Sequence, residues 1–313
     1  MTTAARGLFW CFIFLILDAV QAVFFGATFQ RLDSFLVGAL VFGLSASACL
    51  AWTLVRRPDH LARALADPGA LAGLNVTAAG AWLTYLLAIQ RIEPAIAFTL
   101  FSGIIPIATV AAGRSGFTGA PAMRNRLEAG GYLLIAAGMT ALAAITLAGW
   151  SGFVRGSVAD AGVGLALATL AGVMIAFMLL YSRRLDMAGV GPLAQFGLRF
   201  PLYTVLATTG FLLGFDDKGP APAEDLLLAF VVGLAVLAFP IYAVQKAVSL
   251  TSTLTIGTFA AVGPFVVFVL QVTEGRVAYA QATLVGLAIY FAGALLGVFG
   301  TVRAASAGNR RLE

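Results

Sequence analysis

One histidine and two cysteines among 313 residues leave little from which to build a metal centre or a proton relay. The histidine, His60, lies in the basic stretch RRPDHLAR (56–63). The fragment GLSAS (43–47) superficially resembles an intramembrane serine-protease motif, but no histidine in another span can act as its base. There is no H-E-x-x-H, no phosphate-cradling glycine loop, and no pair of acidic motifs to hold a metal and a diphosphate. Hydrolase, prenyltransferase and ATP-driven pump readings fail on these absences, so the expectation is a non-enzyme with no cofactor and no metal. Cys11 and Cys49 fall within apolar runs and read as apolar fillers rather than a disulfide or ligand pair.

Charge is also scarce. Only 11% of residues are charged, against about a quarter in a soluble domain. What is present instead is hydrophobic material, 61% of the chain, with a mean hydropathy of +0.97. Runs of roughly 20 apolar residues are long enough to cross a bilayer as helices. Ten such spans are predicted, near 7–28, 33–55, 69–90, 94–113, 129–149, 161–182, 193–214, 224–245, 253–272 and 279–301. They use most of the chain and leave no room for a soluble catalytic domain. AVQA (19–22) resembles a signal-cleavage site, but Asp18 interrupts the apolar run before it, and the first span is kept as a helix.

The net charge of +5 is explained by topology rather than by nucleic acid. Thirteen lysines and arginines, among them Arg56, Arg57, Arg183 and Arg184, fall in loops on the side of the N-terminus. Five (Arg31, Arg91, Arg155, Lys218 and Arg276) fall on the other. This positive-inside bias places both termini in the cytoplasm and the acidic loop FDDKGPAPAED (215–225) outside.

The two halves of the chain, 1–150 and 151–313, echo one another. QRLD (30–33) matches RRLD (183–186), and GYLLIAAG (131–138) matches GLAIYFAG (286–293). AFTLFSGIIPIATVAAG (97–113) and TIGTFAAVGPFVVFVLQ (255–271) each carry a glycine and a proline at mid-depth, Gly103 with Pro106 and Gly263 with Pro264. A period of five spans is odd, so the halves run in opposite directions through the membrane, a signature of secondary transporters. Both prolines fall roughly 17–18 Å along their helices, near the midplane. Each removes a backbone donor, freeing the carbonyls of Ser102 and Ala260, and offers a bend around a central cavity. Against this stands the frequency of proline in membrane helices, where neighbours re-satisfy the freed groups; Pro201 and Pro240 are further cases.

With these features the chain resembles the drug/metabolite transporter superfamily, and within it the EamA type. AVSLTSTLTIGTFAAVGPFVVFVLQVTEGR (247–276) is similar to the family's pattern, with an acid and then an Arg near the helix end, and LRF (198–200) resembles its Arg-Phe pair. The first half lacks the terminal Glu-Arg after AAGRSGF (111–117). Family members that export aromatic amino acids from bacteria look nearest. The resemblance implies an all-α inner-membrane protein of ten helices in a 5+5 inverted repeat. It also implies a cavity lined by spans 1, 3, 4, 6, 8 and 9, and export of amino acids by alternating access. Other solutes (a purine, a polyamine, a lipophilic compound) and a lipid-moving or structural role are the alternatives, and the chain is expected to be a monomer or homodimer.

Several polar and aromatic residues are candidates for the binding site. Asp18 and Arg199 are the charges deepest in the spans, each costing about 3 kcal/mol to insert. Asp18, with Gln21 one turn on, suits an ammonium or a proton, or else locks helix packing. Arg199 suits a structural role or snorkels to the inner edge. Asn75, Trp82 and Tyr85 fall within about one face of span 3, where the rings can stack on a substrate or belong to the interfacial aromatic belt. Tyr242 and Gln245 are their inverted counterparts in span 8, and the two tyrosines read as outer and inner gates or as belt residues. Thr99 and Ser102 share a stripe with Pro106, as Thr251, Thr255 and Thr258 do with Val262; such stripes face a cavity or a neighbouring helix. Gly131 and Gly138 in span 5, and Gly286, Gly293, Gly297 and Gly300 in span 10, permit close approach, within one chain or across a dimer.

Overall fold

The computed structural model describes residues 3–117, 123, 125–250 and 253–309, without the side chains at 3–4, 244–246, 248–249, 253–258, 261, 302 and 304–309. It is all-helical. Proline opens α3 (Pro58–Leu65), α4 (Pro68–Ala88), α5 (Pro94–Arg114), α8 (Pro192–Arg199) and α9 (Pro201–Leu212), where its missing N–H and fixed φ cost nothing. Side-chain caps start α2 (Ser34–Arg56), where Asp33 accepts from the amides of Phe35 and Leu36 at 2.8 and 2.9 Å. Asn125 caps α6 (Arg126–Leu147), and a Ser157–Asp160 capping box opens α7 (Val158–Met187). The remaining helices are α1 (Thr3–Thr28), α10 (Ala223–Gly233), α11 (Phe239–Leu250), α12 (Thr253–Glu274) and α13 (Gln281–Asn309).

Eight helices, or runs of joined helices, among the described residues are long and apolar enough to cross a bilayer, so this is a multi-pass membrane protein. The short α3 was not expected as a helix. Predicted span 7 is broken: α8 ends at Arg199 and α9 begins at Pro201, with Phe200 between them. Predicted span 8 carries a π turn over Leu234–Ala238 just before Pro240, where the ring cannot donate to an earlier carbonyl. Pro106 and Pro264, by contrast, sit inside helices that run through them.

Packing is pairwise. α4 and α5 lie on α7, α11 and α12 lie on α1, α8 and α9 lie on α2, and α5 meets α12. α6 lies along α13 in one chain, which decides between the intrachain and dimer readings of their glycines. A methyl group on Gly138 would stand 2.6 Å from the backbone nitrogen of Tyr290, and one on Gly300 2.6 Å from that of Glu128. These two helices touch backbone to backbone, as small residues allow.

The loops at the end where α1 finishes are tied together. Gln30 donates to the carbonyl of Gln90, Arg155 donates to the Gln90 side chain, and Ser34 donates to Asp216, which pairs with Lys218. Burial pushes the Asp216 carboxyl up, but its bonds from Lys218 and Ser34 outweigh that and hold it below the usual carboxylate range. Ile92 and Val154 form an isolated antiparallel bridge across the same end. At the opposite end Arg184 grips Asp67 at 2.5 and 3.1 Å, and His60 accepts from the amide of Gly191 at 2.7 Å.

Candidate binding site

α1 presents its lipid side through exposed Phe9 and Phe12 and through Ile16, which lines an outward groove with Val231, Leu234 and Phe239. Asp18, two residues beyond Ile16, lies about 200° around the helix and so points into the protein. It is half-buried, and among the described residues no side chain donates to it or pairs with it. α1 meets α5, whose Phe101 packs on Tyr85 of α4.

α1 and α4 also carry enclosed donors without acceptors. The amide nitrogen of Gln21, the indole nitrogen of Trp82 and the hydroxyl of Tyr85 are enclosed and have no hydrogen-bond partner among the described residues. Buried polar groups are nearly always paired, so three such orphans and one bare carboxylate, on two helices that both meet α5, mark these faces as the candidate site. Aromatic faces form its wall. Tyr85 packs on Phe101 at 4.5 Å between centroids and on Trp82 at 6.1 Å, and Trp82 continues to Phe42 at 4.8 Å and thence to Phe200. Phe42, Phe98 and Phe101 were absent from the sequence-based set. Phe98 and Phe101 share the stripe that carries Ser102, and that spacing was the available signal.

The other candidates fall elsewhere. Asn75 is committed to the break between α8 and α9. Its Nδ2 donates to the carbonyl of Leu198 at 2.7 Å and its Oδ1 accepts from the amide of Leu202 at 3.3 Å. Those two groups would bond to each other in an unbroken helix; the Asn75 amide stands in for that bond. Asn75→Ala is therefore expected to lower the stability by about 2–3 kcal/mol, leaving both groups buried and unpaired. Its Tm should fall while substrate KM stays put; a raised KM at unchanged Tm would make Asn75 a ligand instead.

Thr99 and Ser102 donate back to the carbonyls of Ala95 and Phe98. Tyr242 packs edge-on to Trp10 at 5.7 Å and beside Phe239, on the outward side of α11. This is the aromatic-belt position rather than the gate. The side chains of Gln245 and Thr258 lie outside the described residues. Gly103 faces Tyr290 and Met139, whereas Gly263 faces Phe98 of α5 and Leu15 of α1, so the two glycines seat their helices on different neighbours. Arg199 is buried, donates to Ser182 at 3.0 Å and stands between α7 and α8, apart from Asp18.

A cleft of about 780 Å³ opens between the halves of α5 and α7 nearest Arg184, lined by Ile104, Ile107, Phe177 and Tyr181. Its α5 residues Ile104 and Ala108 follow Phe101 at i+3 and i+7 and so continue that side of α5 toward the Arg184 end, while Gly69 adds the start of α4 to the lining.

At the end where α1 finishes, Glu93 is fully buried and accepts from Gln271 of α12, from Thr283 of α13 at 2.9 Å and from the amide of Gly152 at 2.8 Å. The amide of Ala95 in turn donates to Gln271 at 2.9 Å. One carboxylate thus binds the start of α5 to α12, α13 and the loop before α7. Burial pushes it above its ordinary range, partly offset by its three donors.

No family model and no curated protein matches this chain. Among solved structures, one described only as "Crystal structure of protein" is similar over 99% of both chains, with 20% identity and a TM-score of 0.63. At that identity the likeness concerns the fold alone.

Proposed function

We propose that this chain is a ten-helix secondary transporter of the bacterial inner membrane that exports amino acids, aromatic and other neutral ones, by alternating access. α8–α9 and α10–α11 each count as one interrupted span, and α3 lies outside the count. The packing supports an inverted repeat: exchanging the halves turns α4 on α7 into α11 on α1, and α5 on α7 into α12 on α1. The pairs α6–α13, α5–α12 and α2 with α8–α9 map onto themselves. Such a symmetry lets one half adopt the other's arrangement, which is how inverted repeats alternate.

The observation that carries the reading is the set of enclosed, unpaired donors of Trp82 and Tyr85 on α4 and Gln21 on α1, with the bare Asp18 carboxylate, on two helices that both meet α5. With the α1-finishing end tied shut through Glu93 and Gln90, the site is sealed on that side. Export then requires these ties to break while the other end closes. The resemblance to the drug/metabolite transporters supplies the amino-acid substrate.

The test is uptake into liposomes holding the purified protein, with labelled tryptophan, phenylalanine, threonine, a purine and a polyamine, each with and without a pH gradient. Saturable amino-acid uptake is expected. Uptake confined to another solute overturns the substrate, and no uptake of any overturns the function. Pro264→Ala restores a donor in α12 and stiffens it, so its uptake rate is expected to fall about tenfold with the protein still inserted. An unchanged rate removes the hinge role of Gly263 and Pro264.

A further inference from the structure

We propose that the cleft between α5 and α7 holds one anionic phospholipid, drawn from the leaflet at the Arg184 end of the protein, with an acyl chain in the cleft and the phosphate at its mouth. The charge bias of the loops predicts the cytoplasm on that side. The proposal is independent of any transport.

The α7 wall of the cleft faces lipid. Val173, Phe177 and Tyr181 line it, and farther along the helix the same face carries exposed Val163, Ala166 and Leu170. Val163 lies near the end whose loops are tied together, so its exposure is to the bilayer and not to a water-filled path. On the opposite face Ala168, Ala171 and Ile175 are buried. The two helices touch at Gly172, where a methyl group would collide with Ile104 and with the carbonyl of Phe101, and they part from there toward Arg184. Between Gly172 and Arg184 α7 rises about 18 Å, close to the roughly 15 Å of hydrocarbon in one leaflet. The cleft is therefore one leaflet deep.

Its chemistry changes along that depth. Ile104, Ile107, Val173 and Phe177 make the deep walls apolar. Ser115, Tyr181 and Arg184 stand at the mouth, where Phe117 packs edge-on to Phe177 at 5.7 Å and to Tyr181 at 5.2 Å. Asp67 takes Nε and Nη2 of Arg184 and leaves Nη1 without an acceptor among the described residues. Arg114 and Arg183, next to Ser115 and Arg184 in the chain, are exposed and form no ion pair among the described residues. Three arginines thus accompany two acids, Asp67 and the exposed Asp186, and leave this end positive. Basic pockets between membrane helices suit lipid phosphates. A neutral lipid would fill the apolar slot and leave the arginines unanswered, and a soluble phosphate ester would do the reverse.

The experiment compares two lipids with the same acyl chains. Native mass spectrometry of the full chain in detergent measures the affinity of the first dioleoylphosphatidylglycerol bound and of the first dioleoylphosphatidylethanolamine. The anionic lipid is expected to bind at least about fivefold more tightly. Ala111→Phe fills the mouth without changing charge and should remove the tight site. Ala166→Phe, the same change on the lipid face of α7 beyond the cleft, should leave it intact. Arg184→Gln should bring the two lipids toward equal affinity. If Ala111→Phe does not fold, Ala108→Leu narrows the same slot with a smaller change. Equal affinities of the two lipids on the wild-type chain overturn the proposal, and that comparison needs no variant. So does a phosphatidylglycerol affinity unmoved in the folded cleft variants, or one weakened equally by Ala166→Phe. Displacement of the lipid by glycerol 3-phosphate also overturns it, since the mouth would then be a site for a soluble anion.

Discussion

Gly293→Ala is expected to cost this protein about 3 kcal/mol or more, whereas Gly297→Ala, one turn away on the same helix, should be nearly silent. The two glycines form a single G-x-x-x-G in the sequence. At 293 the new methyl would stand 2.5 Å from the backbone nitrogen of Ile135 and 2.8 Å from the carbonyl carbon of Leu134. Backbone of α6 cannot turn aside as a side chain can, so α13 must move off along its length. At 297 the methyl would meet only the ring of Tyr132, at 3.9 Å, an ordinary contact. The partner of Gly297 shows the reverse asymmetry: a methyl on Gly131 would strike the backbone of Gly297, its Cα at 2.6 Å. Thermal denaturation of the three alanine variants in detergent checks this, with Gly131 and Gly293 grouped as severe and Gly297 as wild type. Equal shifts at 293 and 297 would mean that α6 and α13 do not meet in this register.

Glu93→Ala is the second change of large effect. It strips the acceptor from Gln271, Thr283 and the amide of Gly152, three donors drawn from separate segments. A net loss of about 3 kcal/mol is expected, since each buried donor left unpaired costs about 1–3 kcal/mol and loss of the buried charge returns part of it. Because those donors close the end at which α1 finishes, a cysteine reporter at Gln30 should also become more reactive to an impermeant reagent. A stable variant with an unreactive reporter would show that the end is held by the Gln90 and Asp216 bonds alone.

The same residue sets a pH dependence. Burial raises the folded-state pKa of Glu93 above its ordinary 4.5, so the folded chain holds this proton more tightly than the unfolded one. Between 4.5 and that raised value, stability therefore falls as pH rises; above the raised value the cost is fully present, and below 4.5 it is absent. The Tm of the wild type relative to Glu93→Gln should accordingly improve as pH drops from 7 toward 5. A difference that is flat or of opposite sign would mean that the three donors, not burial, dominate at Glu93.

Which parts of this were legible in the chain follows from the range of the forces involved. The multi-pass character and the approximate helix limits depend on local composition, because a helix in lipid must satisfy its own backbone groups and needs about 20 apolar residues to do so. Asp33, Asn125 and Ser157 cap helices through bonds to residues two or three positions on, equally local. Asp18, Gln21, Trp82 and Tyr85 could be singled out because a polar or interfacial side chain deep in an apolar run is costly wherever it points. What they meet depends on how α1 packs on α11 and α12 and α4 on α7, and no periodicity within a helix contains that.

The remaining assignments depended on partners far along the chain. Asn75 looks like any polar residue of a membrane helix until Leu198 and Leu202, about 125 positions away, are seen to take its amide. Glu93 reads as an ordinary residue before a proline; only the approach of α12 and α13 makes it a buried latch. Gly293 and Gly297 are one motif in the sequence and two different positions in the fold, because the crossing of two helices fixes which backbone atoms touch. The sequence by itself determined which segments enter the membrane and which of them carry groups that the membrane penalises. The tertiary structure alone decided which of those groups answer one another, since that depends on contacts between residues distant in the chain.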